Sequence, residues 1–297
     1  MAQITLLDGG MGQELVRRSG DVPTPLWATR VMMDHPGLVE AIHADYFAAG
    51  ATVATTNTYA IHHDRLLHQG LDGLFHGLHL RALTAAVEAR DAHGSGLIAG
   101  SLGPLVATYR PEVTPPLAEA AGKFAEIAAL LAPHVDVFLI ETASSMLQAE
   151  GALMGAGKAR PVWLSMSVAD KDGTLLRSGE PLSDVMRLVR EYAPAKVLVN
   201  CSVPEAMAAA MDVVRGFGVP FGAYANGFTH ITRDFKADQA TVDALFTRHD
   251  LTPEKYAGFA LGWVAQGATT VGGCCEVGPA HIAALRDALI AAGHTIV

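Results

Sequence analysis

The chain has 297 residues, of which 50% are hydrophobic and 17% charged, and its formal net charge is -9. That composition supports a large core and excludes global disorder, and no Lys/Arg cluster supplies the basic footprint that nucleic acid requires. Apolar stretches are broken well short of the roughly 20 residues of a membrane helix, and no basic, then apolar leader opens the chain. Three cysteines are an odd number for a disulfide framework, which points to a reducing, cytoplasmic setting.

Short β-rich runs alternate with segments of helical period along the chain. The first strand, 4–7, ends in Asp8-Gly9-Gly10. A helix over 36–49 stops at Gly50, a C-terminal cap. Strand two covers 52–57, a helix runs through 80–92, and strand three covers 97–101. Residues 104–116 hold four prolines and Tyr109. That is too much proline for a regular element, and a loop of this length is often functional. A helix over 117–131 leads to strand four, 135–140, which ends in Glu141-Thr142. Helix 143–155 and strand five, 162–168, follow. The stretch 170–173 is a turn by composition. Helix 182–192, strand six at 196–200, helix 205–217 and strand seven at 221–225 come next. Helix 253–266, strand eight at 269–273 and helix 280–292 complete the chain.

Eight strands alternating with helices, with no Pro/Ser-rich linker, predict α/β architecture. The expected form is one (β/α)₈ TIM barrel spanning 1–297 rather than two doubly wound domains. The strand ends decide between them. They carry Asp8, Thr56-Asn57, Ser101, Glu141, Asn200-Cys201, Asn226 and Cys274-Cys275. A barrel gathers such ends at one mouth, whereas an open sheet strings them along a line.

All three cysteines lie at two of these ends. A free cysteine is often only a small buried hydrophobe, but that does not explain why two are adjacent and none falls elsewhere. A disulfide between neighbours is disfavoured, because consecutive Cα atoms are only about 3.8 Å apart. Neighbouring residues of a regular strand also face opposite sides. Cys274 and Cys275 can therefore share a metal only if the backbone leaves strand geometry, which Gly272-Gly273 makes easy. Three thiolates with one open position describe a catalytic zinc site, and sulfur ligands favour Zn²⁺ over Mg²⁺ or Mn²⁺. A substrate thiol in the open position would lose its proton and become a nucleophile.

Taken in order, Asp8-Gly9-Gly10, Leu26-Trp27-Ala28, Thr55-Thr56-Asn57-Thr58-Tyr59, Val199-Asn200-Cys201, Gly272-Gly273-Cys274-Cys275 and Pro279-Ala280-His281-Ile282 resemble the zinc-dependent homocysteine S-methyltransferases. The resemblance implies a TIM barrel with Cys201, Cys274 and Cys275 on Zn²⁺. It implies Asp8 and Glu141 around the amino group of L-homocysteine, and Gly9 and Thr56 on its carboxylate. Asn226 is a further candidate at the site. The implied reaction is methyl transfer to the homocysteine thiolate, giving methionine. No catalytic side chain is expected beyond the metal-activated substrate. The Leu26-Trp27-Ala28 stretch is most similar to the branch using a sulfonium donor, S-methylmethionine or S-adenosylmethionine. Betaine and dimethylsulfoniopropionate are the alternative donors, and a non-catalytic zinc or thiol-binding protein is the alternative function. Self-association into a homo-oligomer is left open.

Two departures mark this chain. Relatives commonly follow the paired cysteines with Gly-Thr-Thr, where Glu276-Val277-Gly278 stands here, and Tyr224-Ala225-Asn226 replaces Tyr-Pro-Asn. The histidines at 62, 63, 68, 76 and 79 read as surface or capping residues. Gly9-Gly10-Met11-Gly12 fails the spacing of a dinucleotide fingerprint. Trp27 and Tyr109 read either as packing or as ring faces for a cationic donor.

Overall fold

The computed structural model describes residues 1–297. Its elements run β1 Gln3–Leu6, α1 Met11–Ser19, α2 Ala28–Asp34, α3 Leu38–Ala49, β2 Val53–Thr55, α4 His63–Leu67, α5 Phe75–His93 and β3 Leu97–Leu102. Then come α6 Leu117–Leu131, β4 Val137–Ala143, α7 Met146–Ala156, β5 Val162–Met166, β6 Val168–Ala169, β7 Asp172–Leu176 and α8 Val185–Tyr192. The chain closes with β8 Lys196–Asn200, α9 Pro204–Val214, β9 Phe221–Tyr224, α10 Pro253–Ala265, β10 Thr270–Val271, α11 Pro279–Ala291 and β11 Thr295–Ile296.

Nine strands form one curled parallel sheet in the order β11-β1-β10-β9-β8-β5-β4-β3-β2, while β6 and β7 make a separate antiparallel hairpin. The expected eight-stranded closed barrel is therefore met in part. The fold is α/β and TIM-like. Its ladder stays open between β1 and β2 apart from one isolated parallel bridge, Leu7 to Val53. At that seam Thr52 N–H donates to Leu6 C=O (2.7 Å) and Asp8 N–H to Val53 C=O (3.2 Å). The extra strand β11 pairs with the outer side of β1. Its two residues follow the last helix too closely for sequence periodicity to reveal them.

The strands are apolar on both faces, as parallel strands covered by helices must be. Alternate residues divide the core in two. Ile4, Ala54, Ile98, Phe138, Leu164, Val197 and Phe221 pack outward against the helices. Leu7, Val53, Ala99, Leu139, Trp163, Leu198 and Tyr224 fill the interior of the curl. Following the same period one step towards the C-terminal ends gives Ser101, Glu141, Ser165 and Asn200. The alternation thus places a polar layer directly above an apolar one. No helix is long and apolar enough to cross a membrane.

Candidate metal centre and substrate pocket

A cleft of about 1060 Å³, open to solvent, lies at the C-terminal ends of the strands. Its wall includes Asp8, Gly9, Thr56, Glu141, Cys201, Cys274 and Cys275. Of the strand-end residues singled out by sequence, Ser101, Asn200 and Asn226 stay out of that wall, and Asn226 is the one expected to touch substrate. It is buried (1% exposed) and its Oδ1 accepts Phe228 N–H at 3.2 Å, while its Nδ2 has no partner.

The three sulfurs converge within 4.8 Å of one another. Cys201 and Cys274 are joined as a disulfide with Cα atoms 5.8 Å apart. Cys275 is a free thiol, its sulfur 4.0 Å from that of Cys201. An odd cysteine count did not prevent pairing, because the partners sit on separate strand ends brought together by the curl. The set also fits a metal. Thiolates on a tetrahedral zinc, with Zn–S near 2.3 Å, stand roughly 3.8 Å apart, so reduction of the disulfide and a small relaxation would complete it. Burial pushes the Cys275 thiol up to about 12, with the Glu276 and Glu141 charges adding to the rise. A cation is what would hold that sulfur as thiolate at neutral pH.

The backbone does leave strand geometry at the cysteines, though not through the glycines' dihedral freedom. Neither Gly272 nor Gly273 has a positive φ. A Cβ on Gly272 would instead stand 2.5 Å from Leu7 Cβ and 3.1 Å from Asp8 C=O. Glycine is needed there for close approach to β1. The turn is closed by Val277 N–H donating to Cys274 C=O (3.1 Å), with Glu276 at φ +65°. A left-handed third position favours glycine, so a glutamate there is strained. Its carboxylate accepts from Gln13 Nε2. The Oε1 of Gln13 accepts from Trp27 Nε1 at 3.0 Å. The departure Glu276 is thus linked to an aromatic wall of the pocket.

Asp8 is buried, and its carboxylate accepts from Thr55 N–H (2.7 Å) and Thr55 Oγ1 (2.8 Å). Burial pushes its pKa up to about 7 against these two bonds, and the Glu141 charge adds to the rise. Glu141 accepts from Ser101 Oγ (2.6 Å) and Tyr224 Oη (3.2 Å), and burial likewise raises it to about 7. A bulge between Ile140 and Ala143, with Thr142 at φ +58°, ends the regular pairing there. Such a bulge re-aims a side chain. Asn200 braces it, accepting from Thr142 N–H (3.0 Å) and donating to Thr142 Oγ1 (2.9 Å). Two carboxyls that titrate near neutrality thus line one pocket with no ion-pair partner in the protein, and groups of that kind are able to accept from an ammonium.

The hydroxyl of Thr56 is committed within the protein. Thr58 Oγ1 donates to Ser101 C=O (2.8 Å), so Thr56 Oγ1 must donate to Thr58 (2.8 Å), while accepting from Ser101 N–H (3.0 Å). It has no proton left for a carboxylate in this geometry. Gly9 N–H has no partner in the protein and lies in the pocket wall beside the first turn of α1, a favourable place for an anion.

The loop 104–116 does overhang the pocket, through Thr108 and Tyr109. Residues 228–251 form a second wall through Phe228, Phe235, Thr241, Val242 and Leu245. This wall went unread in the sequence, where the one available signal is a long stretch without periodicity in a chain of otherwise short connections. Tyr59, edge-on to Trp27 at 6.0 Å, and Arg65 are further wall residues without an earlier assignment.

An α/β fold whose pocket gathers three cysteine sulfurs and two carboxyls is equipped for sulfur chemistry. The chain belongs to the homocysteine S-methyltransferase family, a family of methyltransferases, which it matches over residues 5–289. It is 31% identical to homocysteine S-methyltransferase of Escherichia coli (strain K12), covering 95% of this chain and 94% of that one. It is 27% identical to homocysteine S-methyltransferase YbgG of Bacillus subtilis (strain 168), covering 94% and 92%. Among solved structures it superposes on the homocysteine methyltransferase MmuM from Escherichia coli in its metallated form. The TM-score is 0.80 at 27% identity, over 96% of each chain. The oxidized form of the same protein gives 0.80 as well.

Proposed function

We propose that the reduced protein holds Zn²⁺ through Cys201, Cys274 and Cys275 and transfers a methyl group from a sulfonium donor to L-homocysteine, forming methionine. The observation that carries this is the convergence of three sulfurs and two near-neutral carboxyls in one pocket. When bound, zinc would supply the Lewis-acid character that lets a substrate thiol lose its proton at neutral pH. In this reading Asp8 and Glu141 receive the ammonium and Gly9 N–H the carboxylate, which fixes the homocysteine sulfur in line with the donor. Thr56 supports the wall through its bonds to Ser101 and Thr58. The homocysteine sulfur bonds the methyl carbon, and the donor's carbon–sulfur bond breaks with its electron pair going to the departing sulfur. The thiol proton leaves to solvent. Trp27, Tyr59, Tyr109 and Phe235 line the same cleft; Arg65 and Arg177 stand over Tyr59 and Tyr109, so Trp27 and Phe235 are the rings left to favour a cationic donor. S-methylmethionine and S-adenosylmethionine fit this description, and betaine is the neighbouring alternative.

In the same reading the Leu7–Val53 bridge is the seam of a (β/α)₈ barrel, and 1–297 is one homocysteine-binding domain working in the cytoplasm. The test is methionine formation from homocysteine and each of S-methylmethionine, S-adenosylmethionine, betaine and dimethylsulfoniopropionate. Each donor is assayed with and without a chelator after thiol reduction. A sulfonium donor should be used best, and chelation should abolish turnover. Activity that survives complete zinc removal would overturn the metal assignment.

A further inference from the structure

Cys201 stands at φ +50°, a left-handed conformation for a residue with a side chain. Holding a non-glycine residue there costs of order 1–3 kcal/mol and requires the surroundings to enforce it. Three donors do so on its carbonyl oxygen. Arg177 Nη2 donates at 2.9 Å, Tyr109 Oη at 3.2 Å and Ser167 Oγ at 3.4 Å.

Arg177 is the centre of this arrangement. It comes from the turn just after the β6–β7 hairpin, and its side chain is only 6% exposed. Its Nε donates to Ser167 Oγ at 2.7 Å. Its two terminal nitrogens grip Asp170 at 2.8 and 3.3 Å. The guanidinium lies 4.5 Å from the centroid of the Tyr109 ring. Asp170 in turn reaches Val203 N–H at 3.4 Å, two residues beyond Cys201. A buried ion pair of this kind adds little net stability compared with apolar packing. What it does supply is a rigid, planar, five-donor fork that fixes neighbouring groups in direction.

We infer that Arg177, backed by Asp170 and Tyr109, is a positioning residue for Cys201 as a metal ligand. The clamp aims the Cys201 sulfur at the Cys274–Cys275 turn by holding its peptide in the left-handed state. It also sets a fixed positive charge beside a centre that three thiolates make net negative. Outer partners that orient a ligand typically carry roughly 10–100-fold in metal affinity. Because Tyr109 belongs to the 104–116 loop, the clamp ties that loop to the metal ligand. This inference rests on the zinc reading above.

The experiment measures zinc affinity of the reduced, substrate-free protein by competition with a chromogenic chelator. Thiolate-to-metal absorption of the cobalt-substituted protein is recorded in parallel. Arg177→Ala should weaken zinc binding roughly 10–100-fold and shift the cobalt bands. Arg177→Lys keeps the charge without the fork and should fall between it and wild type. Tyr109→Phe removes one donor and keeps the ring, and should lose about fivefold, the size of one hydrogen bond. Circular dichroism of the metal-free proteins reports folding. Should Arg177→Ala fail to fold, Tyr109→Phe decides the matter alone. Wild-type affinity and spectra in the folded variants, with tight binding in wild type, would overturn the clamp and leave the zinc reading intact. A folded, reduced wild type that takes up no zinc would overturn both.

Discussion

Replacing Glu141 with Gln keeps the shape of the carboxyl and removes its charge, so it separates what Glu141 does for the fold from what it does for the substrate. In the free protein, burial raises this carboxyl from 4.5 to about 7. The ionised form is therefore disfavoured in the folded state by roughly 3 kcal/mol, which water at the open mouth of the pocket reduces to about 2 kcal/mol. The sign follows from proton binding. Between pH 4.5 and 7 the folded state holds more protons at this site than the unfolded state, so stability declines as pH rises through that window. Above pH 7 the penalty is complete, and below pH 4.5 it is absent. Glu141→Gln should accordingly be more stable than wild type by about 2 kcal/mol at pH 8 and equal to it at pH 4. The Ser101 and Tyr224 hydroxyls can rotate to serve the amide. The same change removes a charged partner of the substrate ammonium, worth about 1.5–3 kcal/mol, so KM for homocysteine should rise roughly 10–100-fold with zinc content unchanged. In wild type, that KM should climb as pH falls below 7 and protons fill Asp8 and Glu141. Chemical denaturation at the two pH values and steady-state kinetics with homocysteine varied are the assays. A variant that is destabilised at pH 8, or whose KM for homocysteine is unchanged, would refute the assignment of an ionisable receptor to this position.

The other predictions concern the metal, the pocket wall and the strained turn. Cys274→Ser should abolish both the Cys201 disulfide and stoichiometric zinc, with activity lost and the melting temperature of the reduced, metal-free chain little changed; full zinc content with full activity would contradict the three-sulfur site. Thr56→Val should lower stability by about 1–2 kcal/mol, because the buried Ser101 N–H loses its acceptor, while KM for homocysteine moves less than about threefold. A tenfold rise in KM at unchanged stability would instead restore the Thr56 hydroxyl as a substrate contact. Glu276→Gly should relieve about 1 kcal/mol of left-handed strain and release Gln13 and Trp27. KM for the methyl donor should then rise several-fold with homocysteine KM constant, and tryptophan fluorescence should shift. An unchanged donor KM and spectrum would detach Glu276 from the donor side.

Much of the site was legible because it obeys short rules. Strand period and helix period located all eight barrel-type strands, and the polar or sulfur-bearing residues after seven of those runs marked the functional end. Cys201, Cys274, Cys275, Asp8 and Glu141 were found this way, since residue type and position along a strand are properties of the chain itself. The alternation that turns Leu139 inward also turns Glu141 inward, so even its side was implicit in Val137-Phe138-Leu139-Ile140-Glu141. The 228–251 wall was not legible, because its residues owe their place to contacts with Tyr109 and the cleft rather than to any period.

Sequence by itself therefore determined the α/β alternation, the family and the set of residues able to carry sulfur and ammonium chemistry, because patterning and donor type are local. Only the tertiary structure decided their pairings. It joined Cys201 to Cys274 across two strand ends, committed the Thr56 hydroxyl to Thr58 and kept Asn226 behind the wall. It also set Arg177 on the carbonyl of Cys201. The disulfide and the Arg177 contact depend on atoms that meet across sequence separations of 73 and 24 residues, a distance over which neither period nor propensity carries information.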